Sequence, residues 1–202
     1  MTVPETLDRA DRARAKVVQI LQGEYKDETR LMVLLAYVDL AIEHHEAIGL
    51  LLRSKLHGSA FSLTRVVFEI LFCAHWVARC ASDRDLEKIA FTGNFEFPGM
   101  GKIVTDVDTA FGTDGFFADI KRKGWRGMNS YTHSGLLQLA KRFKGSKVEP
   151  NYSDEAVMET VDAITSALLL LGRLLADSVG RVDEVGKLDM LIEGFGAPGD
   201  AQ

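Results

Sequence analysis

Between Lys121 and Lys147 the chain carries eight basic side chains (Lys121, Arg122, Lys123, Arg126, Lys141, Arg142, Lys144 and Lys147) and no aspartate or glutamate. The chain as a whole has 24 Lys and Arg against 29 Asp and Glu, a formal net charge of −5. That balance argues against general coating of nucleic acid, but a local positive field attracts anions. Within the basic run Arg126 and His133 stand seven apart. If the stretch is helical, about two turns separate them, and both leave one face with Asn129 and Ser130 between them. A guanidinium clamps a phosphate, and an imidazole moves protons near neutral pH. Such a pair suits metal-independent cleavage of an RNA phosphodiester, with the 2′-hydroxyl as nucleophile, Arg126 on the phosphate and His133 as acid or base. A solvated helix face, with His133 capping a helix before Gly135, accommodates the same residues.

A second charged pair, Arg65 and Glu69, lies four apart in a segment apolar almost all round. Residues four apart share a helix face, and this face also carries Phe61, Phe72 and Trp76. One reading is a buried ion pair fixing helix register, since an isolated buried charge costs several kcal/mol. The other is an arginine and a carboxylate lining a pocket for a small or anionic ligand. Arg65, Glu69, Asn129, Ser130 and Tyr131 are therefore the candidate ligand-binding residues.

Other chemistries find less support. His44, His45 and Glu46 are adjacent, but neither Glu-x-x-His nor His-x-x-x-His occurs, and Cys73 and Cys80 lack CxxC spacing, so no metal is expected. His45 reads as a hydrogen-bonded core histidine, His44 as a surface one, and His57 and His75 have no spacing partner. Ser130 and His133 form a nucleophile–base pair without a third member. Dinucleotide, P-loop, nucleophile-elbow and kinase signatures are missing, and no cofactor is expected.

Arg126-x6-His133 resembles the HEPN superfamily, compact helical bundles that bear an Arg, four to six residues, then a His near the start of a late helix. Where members often have Asn, Asp or His directly after the Arg, this chain has Gly127. From about Gly58 to Gly135 the chain is similar to a group of uncharacterised bacterial helical proteins. They share the pattern Ser59-Ala60-Phe61-x-Leu63-x-Arg65-x3-Glu69, followed by Tyr131-Thr132-His133-Ser134-Gly135. The HEPN resemblance implies either a metal-independent endoribonuclease of a toxin or phage-defence system or an inactive RNA- or nucleotide-binding relative. It also implies a homodimer, with Arg and His of both subunits at the interface. Whether this chain is an enzyme stays open, against a non-enzymatic ligand-binding module or a dimeric structural protein.

Helical spacing recurs in every long segment, and no stretch alternates long enough for a strand. The spacing predicts an all-α, single-domain bundle of about five to seven helices over residues 1–195, with a frayed tail at 196–202. The first two helices are expected from about Pro4 to Gln22 and from about Asp27, as N-cap, to Lys55. A central apolar helix follows from about Ser59 to Ala81. Loops then hold a brief helix near Ile103 to Phe111, and one or two helices over Phe116 to Phe143 are interrupted around Gly124 and Gly135. The last long helix, capped by Ser153, runs to about Val179, and a short amphipathic turn spans Asp183 to Ile192.

At 202 residues, 47% hydrophobic and 26% charged, the chain has the composition of a folded domain. Cys73 and Cys80, seven apart on one helix, would be about 10 Å apart, beyond the roughly 7 Å reach of a disulfide. A reduced, cytoplasmic setting fits. The charged N-terminus does not read as a signal peptide, and the apolar run Ala163 to Gly172 is about half of a membrane span, so no membrane partner is expected.

Overall fold

The computed structural model describes residues 1–196. The tail expected at 196–202 lies outside the described residues, apart from Gly196, which ends the last helix.

The fold is all-α. Helix α1 (Val3–Ile20) starts in a capping box: Thr2 N–H donates to the Glu5 carboxylate at 2.7 Å, Glu5 N–H returns to the Thr2 hydroxyl, and Pro4 sits in the first turn. Leu7, Ala10, Ala13 and Val17 form its buried stripe. Helix α2 (Thr29–Arg53) begins one residue later than expected, and Asp27 is not its cap; Glu28 holds that position with no side-chain bond. Two polar residues of α2 reach α1: Arg53 meets Asp8 and Asp11 at 3.0 and 2.8 Å, and Glu46 meets Arg14 at 3.0 Å.

Helix α3 (His57–Arg79) is the central apolar element. By length and composition it is the one described helix that could cross a membrane. Here it is a core helix, packed against α2 and against three elements that follow it: α5 (Met100–Phe111), α6 (Phe116–Thr132) and α8 (Asp154–Ser178). Phe72, Leu71, Val67 and Val77 on α3 are fully buried. Helices α2, α3 and α8 pack on one another, α5 and α6 lie against the far side of α3, and α1 and α9 (Val182–Gly196) against α8. The buried His45 on α2 is tied to Thr165 on α8 by a 3.0 Å hydrogen bond, the only buried side chain-to-side chain bond among the described residues.

Several elements differ from the sequence expectation. The one-turn α4 (Asp83–Glu87), held by a Ser82–Asp85 capping box, and a π-helical turn at Lys88–Thr92 fill a stretch with too few apolar repeats to register. Phe95 and Phe97 then fold back on Trp76, with ring centroids 6.1 and 6.0 Å away. Helix α6 runs through Gly124 unbroken. A mid-helix glycine costs about 1 kcal/mol, less than α6 recovers by burying Phe117 and Met128. The break at Gly135 does occur. After it come the one-turn α7 (Leu136–Ala140) and a hairpin, β1 (Phe143–Lys144) and β2 (Lys147–Val148), turned at Gly145 with φ of 61°. Two-residue strands are too short to show alternation. Ser153 caps α8 as expected, accepting from Ala156 N–H at 3.3 Å, whereas the short turn expected near Asp183 is the full helix α9.

Candidate functional site

The Tyr131–Gly135 step ends α6 and turns the chain across α3. His133 is the C-cap residue, its N–H donating to the Asn129 carbonyl at 3.0 Å, and Ser134 takes the left-handed conformation at φ 52°. Gly135 passes so close to α6 that a Cβ there would lie 2.6 Å from the Ser130 Oγ and 3.1 Å from its Cα, so no larger residue fits without moving backbone. The Ser130 hydroxyl accepts from Leu137 N–H at 2.9 Å. Its role is to start α7.

This turn is stapled to α3. The Ser62 hydroxyl lies between the carbonyls of Gly58 (2.8 Å) and Tyr131 (2.9 Å), and Thr132 Oγ1 donates to the Ser62 carbonyl at 3.2 Å. Gln138 Nε2 reaches both Gly58 O and Ser62 Oγ at 3.3 Å. Tyr131 is half-buried against Phe61, centroids 5.1 Å apart, and its hydroxyl is shifted to a higher pKa by desolvation. It acts as packing that carries the turn.

The consequence is that His133 meets Arg65. Their Nη1 and Nε2 atoms are 2.6 Å apart across 68 residues of sequence. Arginine has no acceptor, so the imidazole Nε2 accepts and the ring proton sits on Nδ1. Behind it, Arg65 Nε donates to Glu69 at 3.0 Å, with Nη2 at 2.8 Å from the same carboxylate oxygen. The Arg65 guanidinium also lies 5.0 Å from the ring centroid of Trp125, which Lys121 Nζ approaches at 6.0 Å. The Arg65 and Glu69 side chains keep 19% and 34% of their accessible surface. They form a pair at the rim of the bundle, open to solvent on the His133 side, rather than a pair sealed in the core.

Of the residues chosen from sequence, the fold thus brings together Arg65, Glu69 and His133. Arg126 is exposed on α6, two turns before His133, and has no ion-pair partner among the described residues; His133 is engaged by Arg65 and not by Arg126. Asn129 has a buried Oδ1 without a partner. Residues that sequence reasoning missed are Trp125, Lys121, Ser62 and Gln138. Ser62 lies at an unspecified position of the Ser59–Glu69 pattern, one turn from Gly58 and Arg65, and that spacing was the available signal. Among the described residues no three metal-ligating side chains cluster.

A family model matches residues 38–190, most of the chain. The chain belongs to DUF6988, a family of unknown function. The DUF6988 match takes in the Arg65, Glu69 and His133 positions and leaves out α1. No curated protein and no solved structure matches the chain.

Proposed function

We propose that the chain is a cytoplasmic RNA-binding protein with metal-independent endoribonuclease chemistry of the HEPN-like type, centred on Arg65, Glu69 and His133. The observation that supports this reading is the 2.6 Å contact between Arg65 and His133, a phosphate-binding group beside a proton-transfer group at a solvent-open rim. Arg65 exchanges its imidazole contact for a phosphate oxygen while Glu69 holds the guanidinium, which frees His133 Nε2. His133 then takes the 2′-hydroxyl proton as the 2′-oxygen bonds to phosphorus. The bond from phosphorus to the 5′-oxygen breaks, and that oxygen is protonated from water. Arg126, exposed on the same helix, binds the flanking chain.

A homodimer is part of the proposal. Leu136, Leu137, Leu139, Phe143 and Val148 are all exposed in one stretch beyond His133, and Leu136 keeps 83% of its surface. Exposed apolar patches of this kind mark interaction sites. A second reading, non-enzymatic binding of an anionic ligand, is favoured by the occupied Nε2 atom.

Incubation of the purified chain with single-stranded RNA in excess chelator tests both. Cleavage that His133→Ala abolishes supports the enzyme. Binding without cleavage, weakened by Arg65→Gln, supports the second reading. RNA neither bound nor cut refutes both.

A further inference from the structure

Two turns before Arg65 on α3, a second group of polar side chains converges with no carboxylate among them. Gly58 is buried, and a Cβ placed on it would lie 3.0 Å from Arg142 Nη2, 3.3 Å from the Tyr152 hydroxyl and 3.6 Å from Gln138 Nε2. The Tyr152 hydroxyl is shielded from water and has no hydrogen-bond partner, as has Nδ1 of His57, whose ring stacks on Tyr152 with centroids 5.1 Å apart. Arg142 is exposed, and no carboxylate among the described residues pairs with it. Buried polar atoms are nearly always paired, so two orphans in one recess beside a free guanidinium need an explanation.

A carboxylate would satisfy these groups, but none among the described residues bonds to them, and Glu149, between Arg142 and Tyr152, faces Lys144 instead. The missing partner is therefore an oxyanion from outside. A guanidinium fork beside a phenol and an imidazole suits the oxygens of a phosphate group. Glycine at position 58 lets these groups close on the α3 backbone, where a side chain would meet them. Arg142 lies across it and is long enough to swing out and remain as one ligand.

We propose that Gly58, Arg142, Tyr152 and His57 form a phosphate-binding subsite. Resting on the RNA reading of the Arg65 centre, it holds a second phosphate of the same single strand. Along α3 the two sites are about 10 Å apart. Tyr131 lies between them, its ring 6.4 Å from that of Tyr152.

The test follows the Gly58 amide and the His133 ring by NMR during titration with inorganic phosphate, and separately with a short single-stranded oligoribonucleotide. The Gly58 resonance should move saturably with both and at lower concentration with the oligonucleotide. Arg142→Gln, an exposed change, and Tyr152→Phe, which keeps the ring stack, should each weaken the response about tenfold or more, as expected for loss of a hydrogen bond to a charged group. No Gly58 shift with either probe overturns the subsite, and so does an Arg142→Gln variant that titrates like wild type. If the oligonucleotide moves His133 but not Gly58, the subsite falls and the RNA reading stands. If inorganic phosphate moves Gly58 and the oligonucleotide moves neither group, the subsite stands as one for free phosphate and the RNA reading falls.

Discussion

Acid should unfold this protein through two buried histidines. His45 and His75 keep 3% and 6% of their surface, and burial lowers the pKa of each to about 4. Beyond desolvation, Arg14 acts in the same direction on His45, while the Leu71 carbonyl, 2.8 Å from Nδ1, only partly opposes the shift at His75. In the unfolded chain both protonate near 6.5. Between about pH 6.5 and 4 the unfolded state therefore binds protons that the folded state does not, and stability falls as pH falls. Each histidine contributes up to about 1.4 kcal/mol per pH unit, so the full passage costs about 3 kcal/mol per histidine. The two together approach the 5–15 kcal/mol typical of a whole domain. Glu5, Asp85 and Asp106, whose carboxyls hydrogen bonds hold below their usual range, lose their contribution only below about pH 4.5. The window above belongs to the histidines. Urea denaturation followed by circular dichroism at intervals from pH 7 to 4.5 measures the slope, and His45→Gln and His75→Gln should each remove about half of it. A free energy of unfolding that stays flat from pH 6.5 to 4.5 would refute the reasoning.

Two further substitutions probe the site's support. Gly135→Ala puts a methyl group against Ser130 backbone and should cost about 1–3 kcal/mol by overpacking, while shifting the His133 ring resonances as the Arg65 contact loosens; unchanged stability with an unchanged His133 signal counts against the turn as the positioning device. Phe72→Ala empties a fully buried site and should cost about 3–5 kcal/mol in denaturant. Because the Phe72 ring lies 6.1 Å from that of Trp125, beneath Arg65, the same variant should change Trp125 fluorescence in the folded state, and an unaltered emission spectrum would show that the two are uncoupled.

The all-α architecture was legible because helical periodicity and caps are local properties. Pro4 at the start of α1, Ser153 before Asp154, and the apolar wheel of α3 each follow from residues within one or two turns. The elements that escaped notice are those for which local signals are weakest: the five-residue α4, the π-helical turn, and a hairpin of two-residue strands. Gly124 was misread as a break because its intrinsic cost is visible in sequence and the burial of Phe117 and Met128 that offsets it is not.

The candidate site divides along the same line. By itself the sequence determined which residues are candidates: Arg65 and Glu69 share a face because helical neighbours four apart must, and the basic run from Lys121 to Lys147 is positive in any fold. What it could not determine was the partner of His133. Spacing pointed to Arg126, seven residues away on the same helix, whereas the folded chain gives His133 to Arg65, 68 residues away. That choice rests on the packing of α6 against α3 and on Ser62 reaching the Tyr131 carbonyl 69 residues away, contacts between distant segments, with the close approach of Gly135 to Ser130 shaping the turn locally. The convergence of Arg142 and Tyr152 on Gly58 is of the same kind, since helix packing sets the relative rotation and depth of two elements and local spacing carries no information about either.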